Sequence, residues 1–162
     1  MTSLPLINQL NALTVQGISF LTTLDHLLEK EFEALNDRDI KALQQLVQDK
    51  TETLVQLEEN NLARSQLFTQ VGITPDKKGL QEFSSQLSAT ESDNFKKQWA
   101  KLEQILLAVN EKNKRNDLII SRNSRNLEQL LSIMRGQNQK NTLYDQSGEK
   151  GNYSAQSRIG KA

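Results

Sequence analysis

The sequence predicts an all-α fold. We expect an elongated antiparallel helical bundle of two long helices, a short helix and one longer C-terminal helix, with a flexible C-terminal tail. The chain has 162 residues, only two prolines and seven glycines, and 5% aromatic residues, a composition typical of helical bundles. Apolar residues recur in alternating steps of three and four along three stretches, which is the spacing of a buried helix face. The length suits one domain, and we assign the bundle to residues 1–136 and the tail to 137–162.

The first helix is predicted over residues 4–35. Ser3 and Pro5 mark its start, because proline is tolerated in the first turn of a helix. Its apolar stripe is formed by Ile7, Leu10, Thr14, Ile18, Leu21, Leu24, Leu28 and Phe32. Charged residues near its end are predicted to lie on a solvated face: Glu29, Glu31 and Glu33.

The second helix is predicted to follow a tight break at Asn36 and Asp37 and to run to about residue 70. Because the link is short, the first two helices should be antiparallel neighbours. Its apolar positions lie on a seven-residue repeat: Ile40, Leu43, Val47, Leu54, Leu57 and Phe68. Beyond it, Gly72 and Pro75 break the chain, and a short helix is predicted from about residue 75 to 88.

The last helix is the longest, and it is predicted from about Thr90 to Gly136. Ser88 and Glu91 can cap its start, and Gly136 can end it in a left-handed residue. Its heptad seam runs through Phe95, Trp99, Leu102, Leu106, Val109, Asn113, Asn116, Ile120, Asn123, Leu127, Leu130 and Met134. At about 1.5 Å per residue this helix is roughly 65 Å long, which predicts an elongated molecule.

Three positions of this seam are asparagine: Asn113, Asn116 and Asn123. Buried asparagine lowers stability unless its amide is paired, but it can fix the register of packed helices. One interpretation is that these side chains face other helices or water in a loose bundle. The other is that they line a groove that opens for a partner.

The end of the last helix is rich in apolar residues: Leu127, Leu130, Leu131, Ile133 and Met134. Because this helix is longer than the first two, its final turns are predicted to overhang its neighbours. An exposed apolar stripe there would bind a partner, either a second copy or a client. Alternatively, the short helix or the N-terminus covers it.

Several function classes lack the residues they need. The single histidine, His26, has no nucleophile or third group near it in the pattern, which argues against catalysis. There is no cysteine, and no ligand set for a metal is apparent. The formal net charge is zero, without the basic excess of a nucleic-acid binder. A basic strip on the last helix is predicted to be a solvated face or a contact for an acidic partner: Lys112, Lys114, Arg115, Arg122 and Arg125.

The C-terminal part of the chain contains a longer series of specific residues. It comprises Asn116, Leu118-Ile119-Ile120, Ser121, Ser124, Leu127-Glu128-Gln129-Leu130-Leu131 and Arg135-Gly136, then Thr142-Leu143-Tyr144-Asp145 and Gly148. This series resembles the C-terminal signature of the FlgN family of flagellar type III export chaperones. The outline of the first two helices is also similar to that family, so the resemblance extends over most of the chain.

The resemblance implies a helical cytoplasmic chaperone that binds hook-associated proteins of the hook–filament junction. It would prevent their premature assembly and deliver them to the flagellar type III export apparatus, without catalysis, cofactor, metal, nucleic acid or membrane insertion. The face that grips the client's C-terminal helical segment would comprise Leu118, Ile119, Leu127, Leu130, Leu131 and Met134. Tyr144, with Asp145, would dock on the membrane protein of the export gate, and the export ATPase is a further candidate partner.

Two other readings of the sequence remain open. A self-associating helical or coiled-coil scaffold would form a homodimer through the last helix and bind no secreted client. A membrane-surface helix should carry a polar face rich in Lys and Arg, whereas residues 127–135 contain only Glu128 and Arg135 as charged residues. The sequence therefore disfavours the membrane-surface helix more than the scaffold.

Overall fold

The computed structural model describes residues 4–134, which form four α-helices and, within that range, no β-strand. The helices are α1 (Leu4–Asp37), α2 (Ile40–Gln70), α3 (Lys77–Ser85) and α4 (Ala89–Met134). The predicted all-α class, with three long helices and one short one, is confirmed. Over this part of the chain, none of the helices combines the length and the hydropathy that a bilayer-spanning segment requires. The predicted tail, with Tyr144 and Asp145, lies outside the described residues, as do Arg135 and Gly136.

The chain divides into two units between Asp117 and Leu118. We call residues 4–117 the bundle unit and residues 118–134 the terminal segment. The bundle unit contains α1, α2, α3 and the first part of α4, and the terminal segment is the remainder of α4.

The turn between α1 and α2 is a Schellman motif. The backbone N–H of Asp39 donates to the Ala34 carbonyl oxygen at 2.9 Å, and that of Arg38 donates to the Leu35 carbonyl oxygen at 3.4 Å. Arg38 has a φ of 55°, the left-handed conformation in which glycine is the usual residue. Asp39 then caps α2 by accepting from the Ala42 N–H at 3.0 Å. The break lies after the predicted Asn36 and Asp37, because both of these residues complete the last turn of α1.

The connector between α2 and α3 is fixed by a left-handed glycine and an aspartate cap. Gly72 has a φ of 72° and follows the end of α2. The Asp76 carboxylate accepts from the Gly79 N–H at 2.6 Å and from the Thr74 hydroxyl at 3.0 Å. These bonds, the Gly79 bond first, lower the pKa of the Asp76 carboxyl. Because Asp76 is the cap, α3 begins at residue 77 rather than at the predicted Pro75.

A capping box starts α4, at the residues that the sequence predicts. The Glu91 N–H donates to Ser88 Oγ at 3.3 Å, and the Ser88 N–H donates in return to Glu91 Oε2 at 3.2 Å. This reciprocal pair satisfies two backbone donors that the first turn leaves free. It fixes the point at which the chain leaves α3 and enters its longest helix.

An aromatic cluster joins all four helices of the bundle unit. Phe68 and Trp99 lie edge to face with ring centroids 5.7 Å apart, and Phe83 and Phe95 are 5.0 Å apart. Such edge-to-face pairs contribute about 0.5–1.5 kcal/mol each beyond their burial. Ile7 and Leu10 of α1 pack against the same cluster. A second apolar cluster follows along α1 and α4, formed by Leu21, Leu24, Leu28, Leu102 and Val109.

The buried face of α2 is more polar than predicted. Thr53, Asn60 and Arg64 are buried there. The predicted stripe is wrong at three positions, which are exposed on the surface of this helix: Ile40, Val47 and Leu54.

A close approach of α1 and α2 explains the polar face. Asn60 Nδ2 donates to the Leu13 carbonyl oxygen at 2.9 Å and to Gln16 Oε1 at 3.0 Å. Gly17 lies opposite, and a Cβ atom there would be only 2.7 Å from Asn60 Oδ1. The missing side chain at Gly17 therefore makes room for the hydrogen-bonded amide of Asn60.

Candidate functional site

The terminal segment presents apolar side chains to solvent. No residue of this segment is buried. Its large exposed apolar residues are Leu118, Ile120, Leu127, Leu130, Leu131, Ile133 and Met134. The exposed fraction is 57% for Leu130 and 83% for Met134, whereas Ile119 is half-buried. Clusters of exposed apolar residues mark interaction surfaces more often than scattered single residues do, so this segment is the candidate functional site.

Four of these residues share one face of the helix. Leu127, Leu130, Leu131 and Met134 follow the spacing i, i+3, i+4 and i+7, which places them along a single stripe. Apolar residues at this spacing are the ones through which a helix contacts a partner helix or groove. Full burial of a leucine or methionine side chain contributes about 1.5–3 kcal/mol. The stripe can therefore supply several kcal/mol to binding, although association and side-chain ordering offset part of it.

A buried polar cluster lies close to the C-terminal end of the bundle unit. Asn116 has no exposed surface, and its Nδ2 donates to the Leu28 carbonyl oxygen at 2.8 Å and to Glu31 Oε1 at 2.9 Å. Lys50 Nζ donates to the other carboxylate oxygen of Glu31 at 2.8 Å. Glu31 is only 4% exposed, so the prediction of a solvated face is wrong for this residue. Through these hydrogen bonds the three side chains join α1, α2 and α4.

An outer layer of ion pairs surrounds this cluster. Lys112 Nζ lies 2.9 Å from Asp25 Oδ2 and 3.4 Å from Glu29 Oε2. Arg115 Nη2 lies 3.3 Å from the same Glu29 oxygen, and its guanidinium carbon is 3.9 Å from the centroid of the Phe32 ring. The hydrogen bond to Asp25 is the largest cause that raises the pKa of Lys112. Two residues of the predicted basic strip therefore pair with α1 inside the chain.

The three predicted asparagines have different surroundings. Asn116 is buried and paired, as a residue that fixes helix register would be. Asn113 and Asn123 are exposed. Sequence spacing alone does not separate Asn113 from Asn116, because both positions continue the same heptad seam.

A groove between α2 and α4 was not foreseen from the sequence. It has a volume of about 630 Å³ and is lined by Leu21, Leu54, Leu57, Glu58, Asn61, Arg64, Ser65, Phe68, Pro75, Trp99, Leu102, Glu103 and Leu106. Leu54 on one wall and Leu106 on the other remain exposed. Both leucines occupy predicted seam positions, which a further helix would be needed to cover, but the sequence pattern does not give the number of helices in the bundle.

No group of three or more His, Cys, Asp or Glu side chains within residues 4–134 is arranged to hold a metal ion. His26 is exposed on α1.

The chain is similar to known flagellar proteins. The model of the family described as FlgN protein matches residues 1–152. A solved structure, that of a flagella synthesis protein FlgN from Pseudomonas aeruginosa, is similar with a TM-score of 0.65 and 28% sequence identity. That match covers 77% of this chain and 94% of the other. The comparison with curated proteins gives no match.

Proposed function

This chain belongs to the FlgN family and has a role in flagellar assembly, and from that premise we propose that it is an export chaperone for hook-associated proteins. In this proposal it binds the C-terminal helical segment of a hook–filament junction protein in the cytoplasm. It keeps that segment from assembling early and delivers the client to the type III export apparatus. The exposure of the apolar stripe on the terminal segment is the observation that supports it most.

The client surface is proposed to comprise Leu118, Ile119, Leu127, Leu130, Leu131 and Met134. An amphipathic client helix packed on the stripe would bury apolar area that is otherwise in contact with water on both proteins. Leucine and methionine have flexible side chains, which adapt to more than one client sequence. Binding of this kind is an equilibrium process, so release at the gate needs only a competing interaction or energised unfolding, and no reaction catalysed by this chain.

The bundle unit is proposed to act as the rigid support of this process. Asn116 donates to the Leu28 carbonyl oxygen and to Glu31, both on α1, and Glu31 accepts from Lys50 on α2. These bonds hold α4 in one register against α1 and α2 up to Asp117. The exposed Asn113 and Asn123 are proposed to contribute polar contacts to the client helix. They would set its register because a misplaced apolar side chain would bury their amides unpaired.

A pair of variants on adjacent residues tests the client surface. Leu130→Asp places a charge on the stripe, and Gln129→Asp places the same charge on a neighbouring residue about 100° around the helix, away from the stripe. A peptide from the C-terminal helix of a hook-associated protein is titrated against the full chain by isothermal calorimetry. We expect Leu130→Asp to weaken binding at least about 100-fold, since burying an unpaired carboxylate costs several kcal/mol, and Gln129→Asp to change it less than about threefold.

Light scattering during the same titration separates the proposal from its rival. A one-to-one complex with the peptide supports the chaperone. A self-associating scaffold would instead remain a homodimer when the peptide is added, and Leu130→Asp would dissociate that dimer. Equal peptide affinity in the wild type and in Leu130→Asp would remove the stripe from the client surface.

The docking step is proposed to use Tyr144, with Asp145 beside it, on the export gate membrane protein. Tyr144→Ala should leave the affinity for the client peptide unchanged but lower the amount of hook-associated protein exported by cells. The matched control is Tyr153→Ala, which changes the other tyrosine of the same C-terminal region. Export at the wild-type level in Tyr144→Ala cells would exclude this role.

A further inference from the structure

The groove between α2 and α4 is lined by residues of both helices. Its α2 wall extends from Leu54 to Phe68, which at 1.5 Å per residue is about 20 Å. Its floor includes Leu21 of α1, and its opposite wall extends from Trp99 to Leu106. The α2 wall matches about four turns of a helix and the α4 wall about two, whereas a compact small molecule would leave much of the lining in contact with water.

The charges that the groove presents to solvent are carboxylates. Glu58 on α2 and Glu103 on α4 are exposed and lie on opposite walls. The remaining charged lining residue, Arg64, is 8% exposed, and its Nε donates to Asn60 Oδ1 at 3.0 Å. Its guanidinium carbon lies 5.9 Å from the centroid of the Trp99 ring, and burial lowers its pKa. Arg64 is thus used within the bundle unit. Glu103 Oε1 accepts from Trp99 Nε1 at 3.2 Å but the residue remains exposed, so an occupant would meet one carboxylate on each side.

From this arrangement we propose that the groove binds an amphipathic helix of a partner protein, one whose apolar stripe is flanked on both sides by Lys or Arg. The apolar stripe packs between Leu54 and Leu106 over Leu21. The flanking cations pair with Glu58 and Glu103. The occupant completes a bundle of four long helices in the place that α1, α2 and α4 leave open. The groove shares no residue with the stripe on the terminal segment, so the two proposed docking surfaces can be tested independently.

The single tryptophan of the chain reports on this groove directly. Trp99 lines it and is the only tryptophan in the sequence. The probe is a synthetic helical peptide of about six turns with a leucine–alanine stripe and lysine on both flanks. A second peptide is identical except that glutamate replaces each lysine. Each peptide is titrated against the full chain while the emission of Trp99 is followed.

The result expected is a shift of the Trp99 emission to shorter wavelength and at least tenfold tighter binding of the lysine peptide. The double variant Glu58→Lys/Glu103→Lys should reverse that preference. The control is Glu59→Lys/Glu111→Lys, which alters the net charge equally at two exposed glutamates outside the groove lining. This control should keep the preference for the lysine peptide, because only the charges that line the groove pair with the lysines of the peptide.

Other outcomes would overturn the inference. They are an unchanged Trp99 emission, equal binding of both peptides, or a preference that both double variants reverse alike. A second copy as the occupant would show as a dimer by light scattering that Leu54→Asp dissociates. The C-terminal residues as occupant would show as a shift of the Trp99 emission in Leu143→Asp without any peptide. None of these results bears on the client peptide, whose binding is tested by Leu130→Asp.

Discussion

The bundle unit and the terminal segment show opposite relations between polarity and burial. In the bundle unit, Glu31, Asn60 and Asn116 are buried, and each has a hydrogen-bond partner on another helix. In the terminal segment, Leu127 and Leu130 are exposed. Buried polar groups must be paired, and this makes them good at specifying one arrangement of helices. The polar residues of the bundle unit therefore specify how its helices pack, whereas the apolar residues of the terminal segment are exposed to solvent.

The largest effect expected from this comparison is a contrast between two truncations. Phe83 is 1% exposed and belongs to the aromatic cluster, so Phe83→Ala should lower the free energy of unfolding by about 3–5 kcal/mol. Leu130→Ala should change it by less than about 0.5 kcal/mol, as surface substitutions usually do. Urea unfolding followed by circular dichroism measures both. Equal losses would show that the stripe on the terminal segment supports the fold.

A smaller effect is expected from two asparagines of the same helix. Asn116→Ala removes a donor from the buried Glu31 carboxylate and should cost about 1–3 kcal/mol of unfolding free energy. Asn123→Ala, at an exposed position, should cost less than about 0.5 kcal/mol. Thermal unfolding in parallel with the wild type makes the comparison. If both variants lost the same stability, burial of Asn116 would not be what distinguishes the two residues.

The smallest effect is a gain. Arg38 holds a φ of 55° in the turn after α1, and glycine adopts that conformation without the cost that a side chain imposes. Arg38→Gly should therefore raise the free energy of unfolding by up to about 1 kcal/mol. Gly72→Ala, at the equivalent place after α2, should lower it by a similar amount. Neither change should alter affinity for the client peptide, and an altered affinity would show that the two regions are not independent.

Much of the fold could be predicted because it depends on local patterns. Helix number, helix type and the capping residues Ser88 and Glu91 follow from spacing and composition within a few turns. The burial of Glu31 could not be predicted, because its partners are Lys50 on α2 and Asn116 on α4. No local pattern pairs residues so far apart in the sequence, and a glutamate between other glutamates has the pattern of a solvated face.

The same reasoning explains what was and was not foreseen at the sites. The helix lengths left open whether the apolar side chains of residues 127–134 are exposed or covered by another part of the chain, and the structure shows that they are exposed. The α2–α4 groove was missed because Leu54 and Leu106 fit the seam of a closed bundle equally well. Whether a seam residue is covered depends on the number of helices, and a repeat in one chain does not state that number.

The Glu31 cluster also has a consequence for the order in which the chain folds during synthesis. Lys50 is 19 residues from Glu31, whereas Asn116 is 85 residues away. Contacts between distant residues close larger loops and form later. At about 5–20 residues per second, the ribosome needs several seconds to add α4 after α2 is complete.

We expect a nascent α1–α2 hairpin in which Lys50 alone neutralises Glu31, and pulsed hydrogen exchange should show the amides of the hairpin protected before those of α4. Simultaneous protection would contradict this order. Lys50 thus gives Glu31 an ion-pair partner during the interval before the last helix exists.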